Sequence, residues 1–110
     1  MARMDSIYTL KRDNELVNIL FEHKGKQNAI ETKKIAEVLS NKGYNTKSDT
    51  VHCIVRKIIV ERHLPICSVS HCGYYWATSR EDIQSAIDSL QDKMQGLQER
   101  IDLLKSFIIE

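Results

Sequence analysis

A heptad repeat occupies the C-terminal part of the chain and constrains the fold more than any other feature. Its apolar residues alternate at gaps of four and three, and they are Ile83, Ile87, Leu90, Met94, Leu97, Ile101, Leu104 and Ile108. This spacing predicts one continuous helix with an apolar seam along one side. A helix of about 28 residues is about 40 Å long. A small domain does not cover a rod of that length, so the seam needs a partner.

The residues in and beside the seam bear on how such a partner is arranged. With Ile87 at position a, branched residues dominate the a sites and leucine the d sites, which favours a parallel two-stranded coil. In that coil Arg100 lies near the partner's Lys105, but burial of each seam residue contributes about 1.5 to 3 kcal/mol and outweighs the repulsion. Leu103 and Phe107 widen the apolar stripe and indicate packing against more than one helix there. We expect a homodimer; an antiparallel pair, a higher oligomer and another protein's helix are the alternatives.

Length and composition set the class of protein. The 110 residues, 42% hydrophobic and 28% charged, are typical of one small folded domain with an appendage. No apolar run is long enough to span a membrane, and the N-terminus lacks the apolar middle of a secretion signal. Three cysteines without an export signal indicate reduced thiols. We therefore expect a cytoplasmic protein with no membrane partner.

The small net charge of +1 hides an asymmetry. Residues 1–79 contain 12 Lys and Arg against 8 Asp and Glu, a net of +4, whereas residues 80–110 contain 4 against 7, a net of −3. A mildly basic front joined to an acidic tail suits a front that meets an anion.

Periodicity and end signals predict three helices before the repeat. The first runs from about Asp13 to near Lys24, with frayed residues before Thr9 and with Gly25 as its cap. A stub of strand at Ala29 and Ile30 follows. The second helix begins at an N-cap Thr32 and ends at Gly43, and the third begins at a cap Ser48 and ends near Arg62, before Pro65.

A small hairpin is predicted between the third helix and the repeat. β-branched and aromatic residues flank the turn "SHCG", so the strands are about 66–69 and 74–77, with Gly73 at a positive φ. Ser79 and Asp82 resemble a capping box that opens the last helix.

The third helix has one polar side whose mixture of residues is not explained by the neighbouring sequence. Val51, Ile54, Val55 and Ile58 form its apolar stripe, whereas the other side carries Asp49, His52, Cys53 and Arg56, with Lys57 on the flank. A solvated face that only supports the core is the alternative to a binding surface.

The order of these elements resembles the winged helix-turn-helix superfamily. The segment "IETKKIAEVLSNKGYNTKSDTVHCIVRKI" is similar to the core of that family, and "GYYWA" is similar to its second wing strand. The resemblance spans about residues 13–77 and is nearest to small prokaryotic and phage regulators in which a coiled coil follows the domain. It implies a mainly α fold with a small β-hairpin, a winged helix-turn-helix domain over 1–79 and a coiled-coil dimerisation helix over 80–110.

The resemblance also implies sequence-specific binding of double-stranded DNA by a dimer that regulates transcription or replication. The third helix of that family enters the major groove. The implied base-reading residues are Lys47, Ser48, Thr50, His52, Cys53 and Arg56, and the implied phosphate contacts are Lys33, Lys34, Lys42 and Lys57.

One feature departs from the family pattern. The wing, residues 66–77, contains no Lys or Arg, and His71 is its one candidate cation. This departure favours the alternative function, a protein interaction module such as a phage-type inhibitor or an assembly adaptor.

Enzyme and metal chemistry are not expected. His63, Cys67, His71 and Cys72 lie within ten residues, but their spacing suits a tetrahedral zinc site poorly. We expect no metal, no other cofactor and no catalytic site.

Overall fold

Helices make up most of the structure, and one short hairpin precedes the last of them. The computed structural model describes residues 2–69 and 73–108, with side chains from residue 7 onward. Its elements are α1 (Ala2–Phe21), a 3₁₀ turn (Lys26–Asn28), α2 (Thr32–Asn41), α3 (Ser48–Arg62), β1 (Ile66–Val69), β2 (Gly73–Trp76) and α4 (Arg80–Ser106). The predictions of a mainly helical chain, a small hairpin and a long C-terminal helix are confirmed.

The core lies where α1, α2, α3 and the hairpin meet, and these elements are called the body below. Its most deeply buried side chains are those of Leu16, Leu20, Ile35, Leu39, Val51, Val55, Ile58 and Tyr75. On α3 the four buried residues are those of the apolar stripe, as the sequence spacing predicts. The opposite side of α3 is therefore free to carry other functions.

The prediction for the first helix is wrong at both ends, since α1 begins at Ala2 and ends at Phe21. Ile7, Tyr8 and Leu10 are exposed, so the early turns show no apolar period although they are helical. The C-terminal end comes early because the chain leaves α1 to run beside β2: the Trp76 N–H donates to the His23 carbonyl (2.8 Å) and the Gly25 N–H to the Trp76 carbonyl (2.9 Å).

The predicted caps of α2 and α3 are each one residue late. The N-cap residues are Glu31 and Lys47, and neither receives a side-chain cap within the described residues. The carbonyls of these two residues already accept helical hydrogen bonds, from the Ile35 N–H (3.0 Å) and from the Val51 N–H (3.1 Å). Thr32 and Ser48 are consequently the first residues inside their helices rather than caps.

The hairpin pairs Ile66 with Trp76 and Val69 with Gly73 in antiparallel register. The second strand lies one residue earlier than predicted. The predicted strand stub is confirmed at Ile30, which forms a bridge with Tyr74 through hydrogen bonds of 2.8 and 2.9 Å. Gly73 has a φ of +101°, and a Cβ there would collide with the Ile30 carbonyl. Glycine is thus required both by the backbone angle and by the close approach of the Ile30 strand stub.

The first turns of α4 are fixed to the body. The Ser79 hydroxyl accepts from the Asp82 N–H (3.1 Å), so the predicted cap is confirmed, and the Tyr75 hydroxyl donates to the Asp82 carbonyl (3.2 Å). Lys26 of the 3₁₀ turn donates to the Ser85 hydroxyl (3.1 Å). Beyond these turns α4 leaves the body, and none of its side chains, all of which the structure describes, is buried.

Candidate functional site

The outer side of α3 is an uncovered strip. At 3.6 residues per turn, the side chains opposite the buried stripe are Asp49, Cys53, Arg56 and Val60, and all four are exposed. Val60 is 73% exposed. The strip therefore combines one acid, one thiol, one guanidinium and one apolar side chain, and solvent reaches each of them.

One flank of α3 is tied to α1 by an ion pair. The Lys57 ammonium lies 3.0 Å from Asp13, whose side chain is almost fully buried, and Arg12 lies 3.3 Å from the other oxygen of the same carboxylate. A buried carboxylate needs such partners, because the charge is costly to remove from water without them. Lys57, which the sequence assigns to phosphate contact, thus holds α3 against α1.

Two more of the predicted phosphate contacts form ion pairs. Lys42 lies 3.5 Å from Glu15 on α1, and Lys34 lies 3.7 Å from Glu37 on its own helix. Such exposed pairs are worth little and open easily. Lys42 and Lys57 nevertheless share the α1 side of the body, away from the other flank of α3.

The other flank of α3 carries a hydrogen bond between His52 and Tyr74 of β2. The His52 Nδ1 and the Tyr74 hydroxyl are 2.7 Å apart. Burial raises the pKa of the Tyr74 hydroxyl, although the nearby Arg56 charge acts in the opposite direction. The hydroxyl therefore keeps its proton at neutral pH. His52 is exposed but held in place by the hairpin.

A groove of about 800 Å³ lies beyond this flank, between α3, the start of α2, the hairpin and α4. Its apolar lining includes Ile59, Ile66, Val69 and Leu90. The cations that line it are Lys33, Arg56 and Lys93, one from each of α2, α3 and α4, and Glu31 is the acid among the lining residues. The groove therefore combines apolar side chains with more basic than acidic ones.

The predicted contact residues are therefore divided around the body. Lys33, His52 and Arg56 meet at the groove, Cys53 and Arg56 lie on the outer strip, and Lys42 and Lys57 face α1. Lys47 and Thr50 are exposed, and Ser48 is half-buried. Sequence reasoning missed Tyr74 and Lys93 as parts of the site, because no local pattern shows that β2 and α4 approach α3.

Three of the predicted cations are free to meet an anion. Lys33, Lys47 and Arg56 form no ion pair with any residue that the structure describes. They lie respectively in the first turn of α2, at the N-cap of α3 and in the middle of α3.

The cysteine and histidine group of the sequence is described only in part. His71, Cys72 and the tip of the predicted wing lie outside the described residues. Among the described residues no group of three or more His, Cys, Asp or Glu side chains is placed to hold a metal. Burial raises the pKa of the Cys67 thiol, a shift that keeps this sulfur protonated and poorly reactive.

In the described part of the chain, no helix combines the length and the apolar character needed to cross a membrane. Comparison of the chain with protein-family models, with curated proteins and with solved structures finds no match.

Proposed function

We propose that this protein binds double-stranded DNA as a homodimer, with α2 and α3 as a helix-turn-helix and the hairpin as the wing of a winged helix domain. The observation that carries the proposal is the uncovered outer strip of α3 next to the three free cations Lys33, Lys47 and Arg56. The core side of the same helix is fully buried. This is the distribution required of a helix that rests on a core and enters the major groove.

The three free cations have different roles in this proposal. Arg56 is exposed in the middle of the outer strip, where its guanidinium suits two hydrogen bonds to guanine. Lys33 and Lys47 lie at the starts of α2 and α3, where backbone N–H groups and the helix dipole favour a phosphate. Arg56 therefore specifies sequence, and the two lysines position the duplex.

The exposed seam of α4 supplies the dimer. The wing contributes little charge, since the sequence of residues 66–69 and 73–77 contains no Lys or Arg. Binding therefore depends on a few cations per copy and on the pairing of two copies. We expect modest non-specific affinity and a marked gain on a palindromic site.

The first test is a titration of duplex DNA at increasing salt, using sites selected from random fragments. Two lysine–phosphate contacts per copy, and hence four in the dimer, correspond to a slope of about −4 in a plot of log K against log salt. Arg56→Ala should lower affinity for the selected site by about 1 to 3 kcal/mol and leave the dimer intact. Lys33→Ala and Lys47→Ala should weaken binding to all sequences alike.

The matched control is Lys11→Ala, which removes the same charge from α1. Lys11 is exposed and lies on the side of α1 opposite Asp13, the residue that faces α3. Equal affinity of the Arg56→Ala and Lys11→Ala proteins would exclude Arg56 as a base contact. No duplex binding at low salt would exclude the proposed function.

The exposure of Val60 favours a second candidate function, a protein interaction module. An apolar side chain that is 73% exposed at the C-terminal end of the outer strip, next to Glu61 in the sequence, suits a protein surface better than a phosphate backbone. Val60→Lys separates the two functions, because it should strengthen DNA binding and weaken binding to a protein partner.

A further inference from the structure

We infer that the α4 helices of two copies pair antiparallel, and that Leu103 and Phe107 of each copy dock in the groove of the other. This inference rests on the homodimer of the proposed function and adds its geometry. Leu103 is 59% exposed and Phe107 is 76% exposed in the single chain. Leu103 lies off the seam and Phe107 flanks it, so seam pairing alone does not fully cover them.

The spacing of the seam residues fits an antiparallel pair over its whole length. With the twofold axis between Gln95 and Gly96, each a residue meets a d residue of the partner. The resulting layers are Ile83 with Ile108, Ile87 with Leu104, Leu90 with Ile101, and Met94 with Leu97. All eight seam residues, which are exposed in the single chain, are then covered by the partner.

The side of α4 that packs against the body determines which side of the partner's α4 lies next to that body in an antiparallel pair. Ala86 and Lys93 line the groove, and both occupy heptad position g. Asp82 and Ser89, which are half-buried, occupy position c on the same flank of the helix. In an antiparallel pair the g flanks of the two helices lie on the same side, so the partner's g and c flank near its C-terminus faces this chain's body.

Leu103 and Phe107 occupy those c and g positions in the last turns. In this antiparallel register the partner's Phe107 lies about 3 Å along the rod from Ala86, which lines the groove. The groove offers Ile59, Ile66 and Val69 as apolar contacts for it. The twofold axis thus brings together an apolar side chain and a partly apolar groove, neither of which is covered by the described residues of its own chain.

A parallel pair does not bring them together. Phe107 is then about 30 Å along the rod from Ala86 of either copy. Charge does not separate the two arrangements, because the parallel pair sets Arg100 near the partner's Lys105 and the antiparallel pair sets Lys93 near the partner's Arg100. The covering of Leu103 and Phe107 decides in favour of the antiparallel pair.

Disulfide trapping tests the orientation without any DNA. Ile87→Cys and Leu104→Cys proteins are mixed, allowed to exchange, oxidised gently and digested, and mass spectrometry identifies the linked peptides, so that the native cysteines can remain. A link between position 87 of one copy and position 104 of the other supports the inference. A link between two copies of position 104 overturns it, since an antiparallel pair separates them by about 26 Å.

Sedimentation of the unaltered protein separates the failure of this inference from that of the proposed function. A monomer at all concentrations would overturn both the antiparallel pair and the proposed dimer. A dimer whose trapped link is 104 to 104 would overturn the orientation alone and leave DNA binding to be judged by the titration above.

A second pair of variants tests the docking of Phe107 itself. Phe107→Gln should raise the dimer dissociation constant by about two orders of magnitude or more, because each dimer loses two buried aromatic side chains. Ser106→Gln is the matched control, since position 106 lies on the outer side of the rod. Equal dissociation constants for the two variants would overturn the docking. Circular dichroism of the body and rod checks that both variants remain helical.

Discussion

Lys57→Met is expected to destabilise the fold rather than to weaken DNA binding directly. The Lys57 ammonium lies 3.0 Å from Asp13, and the Asp13 side chain is 4% exposed. Removing the Lys57 ammonium leaves the buried Asp13 carboxylate with one ion-pair partner among the described residues, the Arg12 guanidinium at 3.3 Å. A hydrogen bond to a charged group contributes about 1.5 to 3 kcal/mol, and Arg12 compensates part of the loss. We therefore expect the free energy of unfolding to fall by about 2 kcal/mol.

Urea denaturation followed by circular dichroism measures this change at one fixed protein concentration, because a dimer makes apparent stability depend on concentration. Lys34→Met is the matched control. It breaks a pair with Glu37 in which both side chains are 61% exposed, so the expected loss is below about 0.5 kcal/mol. A double-mutant cycle that combines Lys57→Met with Asp13→Asn gives the coupling free energy between Lys57 and Asp13.

Equal stability of the Lys57→Met and Lys34→Met proteins would refute the structural role of the Asp13 ion pair. Zero coupling in the cycle would refute it as well. If instead Lys57→Met left stability unchanged and reduced the salt slope of DNA binding, the original assignment of Lys57 to phosphate contact would be correct.

Two further predictions concern the hairpin. Burial and the neighbouring Cys67 raise the pKa of the Tyr75 hydroxyl to about 12, so this hydroxyl loses its proton in the unfolded chain first, and the free energy of unfolding should fall as the pH rises from about 10 to 12. In a series of urea midpoints measured against pH, Tyr75→Phe should reduce the slope in this range, and an equal slope in both proteins would contradict the raised pKa. Gly73→Ala should lower the free energy of unfolding by about 2 kcal/mol or more, because residue 73 has a φ of +101° and a Cβ there collides with Ile30. Gly96→Ala, which has open space among the described residues, should raise it by up to about 1 kcal/mol through helix propensity, and equal thermal midpoints for the two variants would contradict the strain at Gly73.

The elements that the sequence predicts well are those with strong periods and clear end signals. The heptads of α4 set its length and its exposed seam, Ser79 sets its start, and the apolar stripe of α3 sets its buried side. In each case the information lies within a few turns of one helix. Local side-chain chemistry therefore suffices for these elements.

The errors arise where distant segments meet. The early turns of α1 are helical without an apolar period, and its C-terminal end depends on hydrogen bonds between residues 23–25 and Trp76. The attachment of Lys57 to Asp13 joins α3 to α1, and the groove joins four separate segments. No sequence window contains both partners of such contacts, which is why Lys57 is assigned to phosphate and the groove is missed.

The proposed antiparallel pair also predicts the spacing between the two halves of a DNA site. In the register of the further inference, Ala86 lies opposite residue 105 of the partner, so the two copies of Ala86 are about 29 Å apart along the rod. The two bodies are attached at these points, and one turn of B-DNA is about 34 Å. We therefore expect selected sites to contain two half-sites about one turn apart. Inserting five base pairs between them should strongly weaken binding, because it moves the second half-site to the opposite face of the duplex. Unchanged affinity after that insertion would exclude simultaneous binding of both copies through a fixed rod.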